Sequence, residues 1–197
     1  MWTIVGLGNP DLEYEGTRHN AGRDFLEAVA KKNSLSDWKK DKLKTALVAK
    51  GELYEEKAVL VLPETFMNNS GKAVRRFVGS VKAAAKLVVL HDDLDMPLGR
   101  VKISFGSGSG GHRGVESIQK AIHTKDFIRV RIGISPSTPS GKLKKPDSEK
   151  IIDFVLGKFK PTEADKLKKS QKLVEEGIKL LLTEGLGKTM TVINTKS

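Results

Sequence analysis

Four histidines, no cysteines and three acids within four residues set the chemistry open to this 197-residue chain. The absence of cysteine excludes a disulfide framework, thiolate zinc sites, CxxC redox exchange and a thiol nucleophile. His19 stands in Thr17-Arg18-His19-Asn20-Ala21-Gly22, a polar turn between an expected first strand and first helix. A loop histidine beside a strand end is placed to face a cleft, and an imidazole with an ordinary pKa of about 6.5 can take a proton from water and return it. The competing reading is a capping or surface histidine. His91-Asp92-Asp93-Leu94-Asp95 follows the apolar run Leu87-Val88-Val89-Leu90. Carboxylates at the end of such a strand point into the crevice where α/β proteins bind ligands. One of them can orient an imidazole and stabilise its charged form, or the three can hold a divalent cation through oxygen. No phosphate-binding lysine motif lies nearby, so the first role is preferred.

None of the histidines, His19, His91, His112 and His123, is paired at HxH or HExxH spacing, which leaves little signal for a metal site. His123 falls at the end of an expected helix, where its ordinary role is to serve the last carbonyls. A covalent serine route fails as well, since neither serine of Gly106-Ser107-Gly108-Ser109-Gly110-Gly111 lies in a GxSxG frame. The same loop satisfies GxGxxG through Gly106, Gly108 and Gly111, with Asp126 beyond it, which at face value is a dinucleotide fingerprint. It begins halfway along a short chain and leaves too little sequence for a doubly wound sheet with a substrate site.

The elements that must position these residues alternate in type. An apolar strand, Thr3 to Leu7, ends in Gly8-Asn9-Pro10-Asp11, and a helix is expected over about 22–32 with Phe25, Leu26, Val29 and Ala30 as its buried stripe. Strands are expected over 45–50, 58–62, 87–90 and 101–105. Asn69 or Ser70 can cap a helix carrying Ala73, Val74 and Phe77. A helix is expected over 115–122. Ile128, Val130, Ile132 and Ile134 alternate with Arg129, Arg131 and Gly133, which predicts a half-buried strand with two arginines on its other face. Residues 135–150, with three prolines and several lysines, read as a mobile surface loop, and a helix over about 162–183 closes the fold. No repeat or linker interrupts the chain, so the fold class expected is a single α/β domain over 1–197.

Lysine and arginine number 35 against 24 acids, and the surplus is uneven: residues 1–98 carry 15 basic and 14 acidic side chains, residues 99–197 carry 20 and 10. Such asymmetry suggests a polyanionic partner, although a lysine-rich surface kept for solubility explains charge alone equally well. No apolar run approaches the roughly 20 residues that span a bilayer, and no basic start precedes a long apolar stretch. The expectation is a soluble, unprocessed, cytoplasmic protein with no membrane association.

Six short motifs stand in a fixed order: Val5-Gly6-Leu7-Gly8-Asn9-Pro10, Thr17-Arg18-His19-Asn20-Ala21-Gly22, Thr65-Phe66-Met67-Asn68, Ser70-Gly71, His91-Asp92-Asp93-Leu94-Asp95 and Gly110-Gly111-His112. Together with Phe154-Val155-Leu156-Gly157-Lys158 and the late Glu184-Gly185-Leu186, they resemble bacterial-type peptidyl-tRNA hydrolase nearly end to end. The resemblance implies one α/β domain with a mixed, largely parallel sheet flanked by helices, and a mobile lid at about 135–150. It implies hydrolysis, during translation, of the ester joining a peptide to the 3′ end of tRNA, without metal or cofactor. Carried over by position, His19 is the general base and Asp92 its partner. Asn9 and Asn68 hold the peptide and the reacting carbonyl, with Tyr14, Met67 and Arg113 as further substrate contacts. Lys102, Arg131, Lys142 and Lys144 hold the tRNA. The implied partners are peptidyl-tRNA and tRNA, with no obligate protein partner and a monomeric state.

Two positions depart from the family pattern. Arg113 stands where asparagine is common, and a cation cannot both donate and accept as an amide does. Ser104 stands where a second basic residue is usual. The alternative reading is a non-catalytic RNA-binding protein, similar to a splicing-factor relative of the same fold.

Overall fold

Strand β1 (Trp2–Gly6) is the centre of the fold, because its residues alternate between two apolar layers and its length is buried from Thr3 onward. In the computed structural model, which describes residues 1–138 and 140–196, it is flanked by parallel neighbours on both sides. Pro139, within the expected lid, and Ser197, the last residue of the expected domain, lie outside the described residues. The remaining strands are β2 (Lys39–Lys40), β3 (Ala46–Leu53), β4 (Glu56–Pro63), β5 (Leu87–Pro97), β6 (Val101–Phe105) and β7 (Ile128–Ser135). They form one seven-stranded sheet in the order β2-β3-β4-β1-β5-β7-β6. The central four, β4, β1, β5 and β7, run parallel, while β2, β3 and β6 add antiparallel edges. This is the mixed, largely parallel α/β sheet expected.

Helices cover both faces. Ile4, Leu60, Val88 and Val130 face α1 (Ala21–Lys32) and the C-terminal helices α5 (Ala164–Glu184) and α6 (Leu186–Lys196). Val5, Val59, Val61 and Val89 face α2 (Ser70–Val74) and α3 (Arg113–Ile122). A short helix, α4 (Ile151–Leu156), lies beside the turn that carries His19. No helix among the described residues is long and apolar enough to cross a membrane.

Several boundaries differ from the sequence expectation for identifiable reasons. The hairpin β3–β4 is longer at its tip, turning on Tyr54 and Glu55, both at positive φ, where no glycine announces the turn. Neither Asn69 nor Ser70 caps α2 with its side chain; the Ser70 hydroxyl instead donates to the Met67 carbonyl. Strand β5 continues past Leu90 through the acidic segment, because β7 pairs with it up to Asp93 opposite Gly133 and, after a register shift, again at Pro97 opposite Ser135. The chain beyond Gly185 forms α6, a helix the sequence pattern does not announce.

The glycine loop between β6 and α3 is not a dinucleotide fold, since β6 and β7 on either side of α3 are antiparallel rather than a parallel βαβ pair. The first turn of α3 is also occupied by a side chain, that of His112.

Candidate active site

The site forms at the C-terminal end of β1, where β5 runs on past it through His91 and Asp92. Gly6 and Gly22 let α1 begin close against these strands: a side chain at Gly22 would meet the Leu90 carbonyl oxygen at 2.2 Å, and one at Gly6 the Gly22 oxygen at 2.6 Å. This approach brings the turn Arg18–Asn20 over the middle of β5, at Asp92. Arg18 anchors the turn from below. Its guanidinium lies over the rings of Phe154 and Phe159 at 4.6 and 4.7 Å from their centroids, pairs with Glu163 at 2.8 Å and donates to the Ile134 carbonyl. A buried arginine is tolerated in such a place because its charge is paired with Glu163 and stacked against two rings.

His19 Nδ1 lies 3.0 Å from both oxygens of Asp92. Asp92 is 3% exposed and also accepts from His112 Nε2 at 2.8 Å. The protons are placed by the helix that follows. His112 is the N-cap of α3, and its Nδ1 accepts the backbone N–H groups of Gly114 and Val115. Its proton therefore sits on Nε2 and points at Asp92. The carboxylate, holding two N–H donors, directs the Nδ1 proton of His19 toward itself. The Nε2 lone pair of His19 remains for the cleft.

Burial pulls the His19 pKa down, but the charge of Asp92 and the hydrogen bond to it outweigh that pull, so the imidazole is more basic than usual, with Arg113 working against the rise. Burial alone would raise Asp92; the two imidazoles hold it well below the usual carboxylate range. His91, buried and beside His112, is pushed far below its ordinary value and stays neutral, its Nδ1 donating to the Asp92 carbonyl oxygen at 2.7 Å.

These groups open into a cleft of about 570 Å³. One wall is polar, formed by Asn68 and the loop Ser109–Arg113; the other is apolar, formed by Ile151, Ile152, Val155 and Leu156. Asn9 Oδ1 accepts the Met67 backbone N–H at 2.8 Å, while the Asn9 backbone is tied to Asn20. Asn9 thus fixes the segment bearing Met67 and Asn68, and its own amide N–H₂ has no partner among the described residues. Asn68 is exposed at the rim, again without a partner among the described residues, and Met67 is buried beneath it.

The structure brings His19, Asp92, Asn9, Met67, Asn68 and Arg113 to one cleft. Tyr14 does not line it; its ring meets Phe66 edge-on at 6.4 Å, behind the rim. Lys102 and Arg131 face each other across β6 and β7 and do not line the cleft, although Arg131 pairs at 2.6 Å with Asp93, which does. Lys142 and Lys144 lie on the loop before α4. Ser104 sits opposite Arg129 with its hydroxyl buried and unbonded. His123 caps the end of α3 in the left-handed region. Sequence reasoning gave no role to Arg18 or His112. The position of His112 directly before a helix was a signal for a capping side chain, whereas nothing in the sequence marked Arg18 as buried.

His19, Asp92 and His112 each offer one ligand atom, all within 4.8 Å of one another, and could hold a metal ion. The 2.8–3.0 Å separations are hydrogen-bond lengths, and the cap of α3 supplies the proton that fills the His112–Asp92 contact. A cation there would have to displace both bridging protons.

The arrangement can withdraw a proton from water held at His19 Nε2 and offer amide donors from Asn9 and Asn68 across the same cleft. A family model described as peptidyl-tRNA hydrolase matches residues 3–197. The chain belongs to the peptidyl-tRNA hydrolase family. It is 40% identical over 195 residues to the peptidyl-tRNA hydrolase of Carboxydothermus hydrogenoformans, covering 98% of each chain. To that of Halalkalibacterium halodurans it is 34% identical, covering 98% of this chain and 100% of the relative. The crystal structure of peptidyl-tRNA hydrolase from Acinetobacter baumannii superposes with a TM-score of 0.86 at 34% identity, over 98% of this chain and 94% of that one. Against the peptidyl-tRNA hydrolase pattern, the structure puts the departing Arg113 on the rim of the cleft rather than away from it.

Proposed function

We propose that this chain hydrolyses the ester joining a peptide to the 3′-terminal ribose of tRNA, with His19 as general base. The observation that carries the reading is the fixed tautomer of His19: Nδ1–H committed to a buried Asp92, Nε2 facing the cleft. Water at Nε2 gives up a proton as its oxygen bonds to the ester carbon. The oxyanion takes hydrogen bonds from Asn68 or Asn9, and collapse expels the ribose oxygen, which recovers the proton from His19. An ester leaving group is good enough for activated water, so no covalent enzyme intermediate is called for. The exposed apolar side chains of α4, Ile152 and Leu156, suit the peptide.

The tRNA is assigned to the basic second half of the chain, with Lys102, Arg131, Lys142 and Lys144 contacting phosphates, which carry no base sequence and suit an enzyme that accepts many tRNAs. The loop over 135–150 acts as the lid of this single domain. The protein works as a cytoplasmic monomer without an obligate protein partner.

The test is release of free tRNA from an N-acetylated aminoacyl-tRNA. The parent releases it, and His19→Ala abolishes turnover while binding tRNA with little loss. Tight binding of tRNA by the parent with no release above background would overturn the hydrolase reading in favour of an RNA-binding module.

A further inference from the structure

Every acidic side chain that lines the cleft is already compensated: Asp92 by His19 and His112, Asp93 by Arg131, and Asp95 by Lys145 at 2.5 Å. Arg113 is the opposite case. It lines the cleft, is exposed, and has no hydrogen bond or ion pair among the described residues; its helical neighbour Glu116 is taken by Lys120 at 2.6 Å. A guanidinium is a rigid fork of donors that matches the paired oxygens of a phosphate or carboxylate. The cleft therefore presents one uncompensated cation and no free anion, which is a site short of an anionic ligand.

The position of Arg113 selects that ligand. It closes the loop of residues 106–111, whose far end rests on the basic strand pair: the buried Arg129 donates to the Ser107 hydroxyl, and Lys102 and Arg131 lie two residues along. Above this loop there is room, since a side chain built on Gly108, Gly110 or Gly111 would meet nothing within 4 Å. Arg113 and Asn68 are also shared between the cleft and a second groove that runs along α3 past Ser117 and Lys120. The opposite wall, from α4, is apolar and suits the acyl side of the ester. The uncharged, open loop thus has cations at both ends, the strand pair at one and Arg113, on the cleft with His19, at the other.

We infer that Arg113 binds the last phosphodiester of the RNA, the linkage on the 5′ side of the ribose that bears the ester, and so seats the ester over His19. The inference rests on the proposed hydrolase activity and names the group that Arg113, expected among the substrate contacts, holds there. The repulsion Arg113 exerts on a protonated His19 is consistent with the two groups facing the same space.

The experiment is a double-mutant cycle between enzyme and substrate. The substrate is an N-acetylalanyl-tRNA with either the native terminal phosphodiester or an uncharged methylphosphonate there, and the enzyme is the parent or Arg113→Ala. Removing either charge lowers kcat/KM by about tenfold, and removing both costs little more than removing one. Arg113→Lys, which keeps the charge and loses the fork, falls between. Additive losses would overturn the inference, as would an Arg113→Ala effect that ignores the methylphosphonate but appears only when the acetylated residue is aspartyl; the ligand would then be a peptide carboxylate. Native substrate hydrolysed equally by parent and Arg113→Ala removes Arg113 alone. No hydrolysis by the parent removes the hydrolase reading and this inference together.

Discussion

At the scale of single residues, Asp92 does more than the partner of the proposed general base needs to do. It accepts from two imidazoles, and one of those imidazoles owes its tautomer to the helix it caps. An amide at the same place has a single acceptor oxygen and brings an N–H₂ of its own, so Asp92→Asn leaves one of the two ring N–H groups without an acceptor in a buried site. We expect turnover to fall by at least tenfold. The pH profile gives an independent readout. Because Asp92 keeps the His19 pKa above its ordinary value, kcat/KM of the parent rises with pH through an inflection higher than that of a free imidazole. Loss of the negative charge in Asp92→Asn moves that inflection to lower pH, whereas Arg113→Asn removes a repulsion and moves it higher. An inflection that stays fixed in Asp92→Asn would detach Asp92 from the base.

At the scale of elements, α1 carries a stored cost. Asp24 lies in its first turn, where a negative charge favours the helix dipole, yet burial and the nearby Glu27 push its pKa up to about 7 against the attraction of Arg23. The folded carboxyl therefore binds its proton more tightly than the unfolded one, and stability is lost as pH rises from the unfolded value near 3.8 to about 7. Asp24→Asn is expected to stabilise the protein by about 2 kcal/mol at pH 8, roughly half the unscreened linkage value because the group is part-exposed, and by little at pH 4. Equal gains at both pH values in denaturant unfolding would show that the carboxyl titrates normally. The helix itself was legible from the 3.6-residue spacing of Phe25, Leu26, Val29 and Ala30, as were the apolar strands. What the pattern did not carry were features set by neighbours. Strand β5 is prolonged through polar residues by its pairing with β7, and Gly71 lets α2 approach α3 so closely that a side chain there would meet the Ser117 carbonyl oxygen at 2.1 Å. His19 and Asp92 could be picked out by type and position, but the role of His112 needed the meeting of a helix start with a distant strand.

At the scale of the whole molecule, the charge that sequence counting locates in the second half is partly spent inside the protein. Lys102 and Arg131 are cross-strand partners of like sign, an arrangement that costs stability unless something intervenes, and Asp93 does so by pairing with Arg131. Of the two, Lys102 is the cation free for phosphate, with no hydrogen bond or ion pair among the described residues. For deacylated tRNA titrated between about 50 and 200 mM salt, Lys102→Ala is expected to weaken binding and reduce the slope of log K against log salt by about one. Arg131→Ala would remove a proposed phosphate ligand and leave Asp93 as a bare anion beside the proposed RNA path, so it is expected to weaken binding more than Lys102→Ala does. Asp93→Asn has the opposite sign: it releases Arg131 and removes the repulsive charge, and the affinity for tRNA rises. The three variants together separate a phosphate-binding strand pair from a merely soluble basic surface, because a diffuse surface charge would make Asp93→Asn and the two cation deletions differ only by their net charge, with Lys102→Ala and Arg131→Ala indistinguishable.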